Sequence, residues 1–102
     1  MAIIIMSQAP SKFLQRQVMR NNQRAKERRQ HERIKASEWR AICASWQDRC
    51  ACCHTLGHLS IDHIKPLSRG GKNLARNVQP LCMDCNTKKD RKEIKYVRGL
   101  WW

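Results

Sequence analysis

The sequence predicts a small α+β domain held together by a structural metal site and preceded by a basic, helical N-terminal extension. Its 102 residues suffice for one small domain but are too few for a large core. Two Cys-x-x-Cys pairs, a few tens of residues apart, are typical of a four-thiolate zinc site. The pairs are Cys50 with Cys53 and Cys82 with Cys85. Residues 59–64 alternate in the manner of a strand, whereas residues 11–56 lack glycine and proline and are free to be helical.

The N-terminal third is strongly basic. The chain has 21 Lys and Arg residues against 8 Asp and Glu, a formal charge of +13, so nucleic acid is the first candidate partner. Between Lys12 and Lys35, nine basic residues accompany two acidic ones and few apolar ones. We therefore interpret residues 1–36 as a basic arm or solvated helix that orders on DNA, with Arg28 and Arg29 among its contacts. The alternative is a solvent-facing helix whose charge serves solubility.

The rest of the N-terminal half carries signals for helix ends and for one buried face. Residues 1–10 predict a short strand or a frayed terminus, and Ser11 is placed to cap the helix that follows. A second helix should begin near Ser37, because four side chains recur at positions i, i+3, i+4 and i+7. These are Trp39, Ile42, Cys43 and Trp46. This face should pack on the zinc-bearing unit, assigned to residues 37–102, with Cys43 as a small buried hydrophobe.

Six cysteines would indicate disulfides in a secreted protein, but nothing in the sequence resembles an export signal. The apolar run of residues 2–6 is far too short to span a bilayer, so we expect a cytoplasmic protein without a membrane partner. A zinc site is therefore favoured over a disulfide framework. Cys52 is left as a spare thiol by the spacing. His54 is a less favoured substitute ligand, because four cysteines already complete a tetrahedron.

The segment between the cysteine pairs predicts two strands and a loop. In a regular strand Asp62 and His63 would face opposite sides, so a shared site requires the backbone to bend or end there, as nearby Pro66 suggests. A turn at Gly70 and Gly71 interrupts the long loop that follows, and residues 78–81 form a second short strand.

A third helix is predicted from Cys82 to about Val97, ended by Gly99. Basic side chains on the loop and on this helix are candidate DNA contacts. They are Lys65, Arg69, Lys72, Arg76, Lys88 and Lys89.

Polar side chains in this segment suit phosphodiester hydrolysis. A histidine accepts a proton near neutral pH, so His63 is the candidate general base. Asp62 offers a carboxylate and Asn86 an amide oxygen, and both are donors that suit Mg²⁺ or Mn²⁺. The expected cofactors are therefore a structural zinc ion and a catalytic divalent ion.

The segment DHIKPLSRGGKNLARNVQPLCMDCNTKK closely resembles the HNH endonuclease family, in the subtype whose zinc knuckles bracket the active residues. Thirteen residues separate His63 from Asn77 and eight separate Asn77 from Asn86, which is similar to the family spacing. The resemblance implies a ββα-metal core, with His63 activating water and Asp62 and Asn86 on the metal. It also implies that Asn77 fixes the loop and the histidine by hydrogen bonds, and that cleavage leaves 3′-hydroxyl and 5′-phosphate ends. The third motif position is Asn86 rather than histidine, and this neutral oxygen donor favours hard ions over Zn²⁺ or Ni²⁺ in the active site.

Each of these residues also has a purely structural explanation. Asp62 can pair with a nearby Lys or Arg, His63 can be a satisfied strand histidine, and the two asparagines can serve a turn and a helix cap. Two other functions stay open: a catalytically silent zinc-knuckle DNA-binding module, and an interaction subunit of a phage or mobile-element assembly such as packaging machinery. The second would dock through residues 100–102, the apolar Leu-Trp-Trp tail. For the endonuclease, one small active site favours a monomer that nicks DNA.

Overall fold

The computed structural model describes residues 10–97, which form three helices and one two-stranded sheet. Helices α1 (Lys12–Glu27) and α2 (Ala36–Ser45) precede strands β1 (Ser60–His63) and β2 (Val78–Leu81) and helix α3 (Met83–Lys89). The strands pair antiparallel, with Asp62 opposite Gln79 and His63 opposite Val78. Single turns of 3₁₀ helix, Leu67–Arg69 and Ala75–Asn77, shape the connection between them. The predicted α+β class is confirmed.

Helix α1 is folded onto the rest of the molecule. The Ser11 hydroxyl accepts a hydrogen bond from the Leu14 N–H at 3.1 Å, as predicted for its cap. Val18 is buried. The Gln17 side chain joins the helix to α2 and to the start of the sheet region. Its amide donates to the Leu59 carbonyl at 2.8 Å and accepts from the Trp39 indole at 3.0 Å. Part of the contact between α1 and the rest of the molecule is therefore polar. The small number of apolar residues in the helix does not reveal it.

Helix α2 buries the predicted face. Trp39 is fully buried and Cys43 nearly so, and burial raises the pKa of the Cys43 thiol to about 12, as expected for a thiol that acts as a hydrophobe. One apolar cluster joins both N-terminal helices to the sheet, and it comprises Val18, Ile34, Trp39, Cys43 and Val78. A second cluster surrounds the cysteine pairs, and it comprises Cys50, Ala51, Leu81 and Cys85.

Helix α3 is shorter than predicted. It ends at Lys89 instead of continuing to about Val97, and Asp90 has a positive φ of 50°. The chain then returns to the sheet, because the Gln79 side chain donates to the Ile94 carbonyl at 2.8 Å and accepts from the Tyr96 N–H at 3.1 Å. The predictions for residues 1–9, Gly99 and the 100–102 tail lie outside the described residues. Within residues 10–97, no helix has the length and apolar character that crossing a membrane requires.

Candidate active site

The four paired cysteines converge on one point. Their sulfur atoms all lie within 4.8 Å of one another, and the Cys53 and Cys82 sulfurs are 3.7 Å apart. A tetrahedral zinc ion with Zn–S bonds of about 2.3 Å would separate its sulfurs by about 3.8 Å. The backbone N–H of Cys53 also points at the Cys50 sulfur, at 3.5 Å. The donor set and its spacing fit a structural zinc ion.

The two remaining cysteines, Cys43 and Cys52, are not among the four clustered sulfurs. All six cysteines lie in the described part of the chain, and none of them forms a disulfide. Cys52 is exposed and is not one of the four clustered sulfurs, in agreement with its assignment as a spare thiol. His54 adjoins the first pair with a positive φ of 66°. Its ring is not among the clustered ligand atoms.

Asp62 is buried on β1, where two side chains hold its carboxylate. One oxygen accepts a hydrogen bond from the Gln79 amide at 2.9 Å, and the other lies 3.2 Å from the Lys89 ammonium. Burial raises the pKa of the Asp62 carboxyl, and the contacts with Gln79 and Lys89 oppose that rise. The ion pair that was one structural explanation for Asp62 is therefore observed.

His63 ends β1 and is half-buried. Its Nε2 atom lies 3.0 Å from Asn73 Oδ1, and Asn73 is fully buried. Burial lowers the pKa of the His63 imidazole, an effect that the hydrogen bond to Asn73 opposes and the nearby Arg24 charge reinforces. The lowered pKa keeps the ring neutral at neutral pH, which is the form a general base needs.

Asn77 fixes the loop between the strands. Its amide oxygen accepts from the Lys65 N–H at 3.0 Å, and its amide nitrogen donates to the carbonyls of Lys65 and Lys72 at 3.0 and 2.8 Å. Gly71 lies against the same backbone, since a Cβ atom there would stand 1.8 Å from the Lys65 carbonyl oxygen. The hydrogen bond to the histidine that the resemblance gave to Asn77 is instead made by Asn73.

A cleft of about 550 Å³ opens beside the end of β1, lined by Asp62, His63 and Asn86. A neighbouring cleft of about 570 Å³ also includes His63 and Asn86 and extends along α1. Within residues 10–97, the Asn86 side chain makes no hydrogen bond, so its amide is available to a ligand in the cleft. Three of the four predicted catalytic residues thus meet at one surface, whereas Asn77 lines neither cleft.

Three arginines of the N-terminal half line the second cleft. Arg20, Arg24 and Arg28 are spaced by four residues, so they follow one side of α1 and its C-terminal end. The ion pairs among residues 10–97 are Arg40 with Asp48 and Lys89 with Asp62, so these three arginines have no carboxylate partner there. They give a positive charge to one side of the cleft that also contains His63.

The predicted DNA contacts differ in their exposure. Seven of the eight are solvent-exposed: Arg28, Arg29, Lys65, Arg69, Lys72, Arg76 and Lys88. Lys89 is the exception, because its side chain is buried and its ammonium also donates to the His63 carbonyl at 3.0 Å. This placement corrects the expectation for Lys89: it stabilises the active strand instead of facing a phosphate.

Residues 50–92 match the family model described as HNH endonuclease. This segment is an HNH domain. No curated protein and no solved structure matches the chain. The matched residues contain both cysteine pairs and every residue of the predicted catalytic set.

Sequence reasoning missed several residues that complete the HNH domain. Gln79 and Lys89 hold Asp62, and Asn73 holds His63. The sequence of β2 does not indicate that Gln79 is buried, because burial of a glutamine depends on partners distant in sequence. Arg20 and Arg24 were counted only as part of the basic arm. Their four-residue spacing was a signal that could have found them.

Proposed function

We propose that the chain is a metal-dependent DNA endonuclease that hydrolyses phosphodiester bonds with His63 as general base. The meeting of His63, Asp62 and Asn86 at one cleft is the observation that carries this proposal. The HNH domain supports nuclease activity in general and DNA as the substrate. Hydrolysis requires a water molecule that loses a proton, stabilisation of charge on the phosphate, and help for the departing oxygen.

His63 performs the first task. Its ring is half-buried beside the cleft and neutral at neutral pH, because burial lowers its pKa. One ring nitrogen is engaged by Asn73, which leaves the other to take the proton of a water held in the cleft. Asn77 contributes indirectly, by holding the loop that follows β1.

Asp62 and Asn86 would hold the catalytic ion, for which Mg²⁺ or Mn²⁺ suits their oxygen donors. A carboxylate has about four acceptor positions. The contacts with Gln79 and Lys89 occupy two of them. When bound, such an ion stabilises charge on the phosphate and on the departing oxygen.

The basic residues supply affinity for the DNA backbone. Arg20, Arg24 and Arg28 border the cleft, and they have no carboxylate partner in the described part of the chain. Phosphate contacts by such side chains orient a duplex without selecting its sequence. Because the described residues hold a single proposed active site, the expected product is a nick with 3′-hydroxyl and 5′-phosphate ends, made by a monomer.

A second candidate function is a zinc-stabilised DNA-binding module that does not cut. The ion pair between Asp62 and Lys89 favours it, because a divalent ion at Asp62 would stand against a buried ammonium. In that case Lys89 permanently neutralises the carboxylate, and the cleft binds phosphate without hydrolysing it.

Nicking of supercoiled plasmid DNA by the zinc-loaded protein tests the proposal. Wild type, His63→Ala and His31→Ala are compared with added Mg²⁺ or Mn²⁺, after zinc content and DNA binding have been matched. His31 is an exposed histidine that lines neither cleft, so its variant controls for loss of an imidazole. We expect wild type and His31→Ala to nick and His63→Ala to lose about 100-fold or more in rate. If all three bind DNA and none cuts with any divalent ion, the binding module is the correct function.

A further inference from the structure

Two buried asparagines connect helix α1 to the imidazole of His63. Asn22 lies on α1 and Asn73 in the loop between the strands, and their side chains are almost completely buried. They hydrogen-bond to each other and, through Asn73, to His63. Neither belongs to the predicted catalytic set, and Asn22 lies outside the matched HNH segment.

Backbone groups fix which end of the Asn22 amide is the oxygen. The Ile34 N–H can only donate, and it lies 3.0 Å from Asn22 Oδ1. The Ile34 carbonyl can only accept, and it receives a hydrogen bond from Asn22 Nδ2 at 3.0 Å. A reversed amide would set donor against donor and acceptor against acceptor. Asn22 therefore presents its oxygen to Asn73.

The orientation of the Asn73 amide is fixed in the same way. Its Nδ2 donates to Asn22 Oδ1 and to the Glu32 carbonyl, both at 2.9 Å, and both of these oxygens can only accept. Its Oδ1 therefore faces His63 Nε2 at 3.0 Å and also accepts from Asn21 at 3.0 Å. Because an amide oxygen cannot donate, the hydrogen atom of the bond to His63 belongs to the imidazole.

A neutral imidazole carries one N–H, so a proton on Nε2 leaves Nδ1 with a free lone pair. Nδ1 of His63 has no hydrogen-bond partner within residues 10–97, and the ring lines the cleft. We propose that Asn73, oriented by Asn22 and the 32–34 backbone, is a positioning residue that holds His63 in the Nε2–H tautomer and turns the basic Nδ1 atom toward the substrate.

The catalytic consequence rests on the proposed function. A general base needs its lone pair within reach of the attacking water, and the opposite tautomer would point that lone pair at the Asn73 oxygen. The N-terminal helix thereby takes part in the chemistry of the HNH domain although it supplies no reacting group.

Nuclear magnetic resonance of ¹⁵N-labelled, zinc-loaded full-length protein tests the tautomer without any cleavage. At about pH 8 the ring is neutral, since an ordinary histidine has a pKa of about 6.5 and burial lowers that of His63. We expect an Nε2–H signal for His63 that exchanges slowly with water, because its proton is buried against Asn73. An Nδ1–H tautomer, or a ring proton that exchanges as fast as that of exposed His31, would overturn the proposal.

Two matched variants add a kinetic readout. Asn73→Leu removes the acceptor, so we expect the protected ring proton to disappear and kcat to fall by about 100-fold while KM for DNA stays within about twofold. Asn21→Leu is the control, because Asn21 is buried and donates to the same oxygen but does not fix its orientation. We expect this control to keep the protected proton. If both variants lose it equally, Asn73 acts through packing alone and the proposal fails.

The two readouts separate this inference from the proposed function. A wild-type protein with the protected Nε2–H that cuts no DNA would refute the nuclease proposal and leave the role of Asn73 in orienting His63 intact. A protein that nicks DNA through His63 while showing the Nδ1–H tautomer would refute only that role of Asn73. If Asn73→Leu fails to fold, the wild-type spectrum still decides, because it requires no variant.

Discussion

The N-terminal helices, α1 and α2, and the segment with the candidate zinc site, residues 50–92 (the zinc-binding segment), contribute to the cleft in different ways. The zinc-binding segment supplies the side chains that can react or bind a metal, and it contains the four clustered cysteines. The helices supply no such group, but they carry the arginines along the cleft and the amide that orients Asn73. The residues proposed to react therefore lie in one region, and the contacts that position them come partly from the neighbouring helix pair.

The sheet is too small to bury His63 without help from the helices. Two strands of four residues each cannot bury a catalytic histidine by themselves, and an isolated hairpin of this kind is marginal in water. The apolar cluster that includes Val18, Trp39 and Val78 spans both regions. The four clustered cysteines, which would hold a zinc ion, therefore support one side of the sheet, and helix packing supports the other.

The largest expected effect concerns the zinc-binding segment. Cys50 is fully buried, and Cys50→Ser removes one of the four sulfur ligands that would hold the zinc ion. A structural zinc ion contributes an apparent binding free energy of about 10 kcal/mol or more. We expect the variant to lose its zinc and its cooperative thermal unfolding, as measured by metal analysis and circular dichroism.

Cys52→Ser is the matched control for this prediction. Cys52 is exposed and lies outside the sulfur cluster, so its variant should keep both zinc and thermal stability. Helical signal from α1 and α2 that survives in Cys50→Ser with its own cooperative transition would mean that the two regions fold independently. That outcome would contradict the shared apolar cluster.

A smaller effect is expected at the buried ion pair. Lys89→Met keeps much of the side-chain length but leaves the Asp62 carboxylate without its cation. Removing one partner of a buried pair costs about 3 kcal/mol or more in free energy of unfolding. Chemical denaturation of the zinc-loaded protein measures this loss.

Lys88→Met provides the comparison on the same helix, because Lys88 is exposed and should change stability by less than about 0.5 kcal/mol. Added Mn²⁺ should restore stability to Lys89→Met if a divalent ion can occupy the carboxylate. Equal free energies of unfolding for the two variants would show that burial of the Asp62 carboxylate does not require Lys89.

The fold and the site were predictable to the extent that they depend on local spacing. The cysteine pairs, the α+β class and the resemblance to the HNH family follow from short motifs of neighbouring residues, and each of these predictions is confirmed. Asn22 and Asn73 were not predictable, since their pairing joins residues 51 positions apart. The early end of α3 likewise depends on Gln79, which holds the returning chain at Ile94 and Tyr96.

The smallest expected effect concerns the arginines that line the cleft. Replacing Arg20, Arg24 and Arg28 together by Gln should weaken DNA binding by about 100-fold near physiological salt, because each phosphate contact contributes through counterion release. The slope of log affinity against log salt should become shallower by about 0.9 for each lost contact, or about 2.7 in all.

Lys12, Arg16 and Lys26 form the control set, since they carry the same charge on the same helix but line neither cleft beside His63. Their replacement by Gln should change the slope by less than about 1, as charges held away from the phosphates do. Titrations over a range of salt concentrations distinguish the two sets. Equal changes in slope would mean that the N-terminal helix attracts DNA only through its total charge, and its place beside the histidine would then serve packing alone.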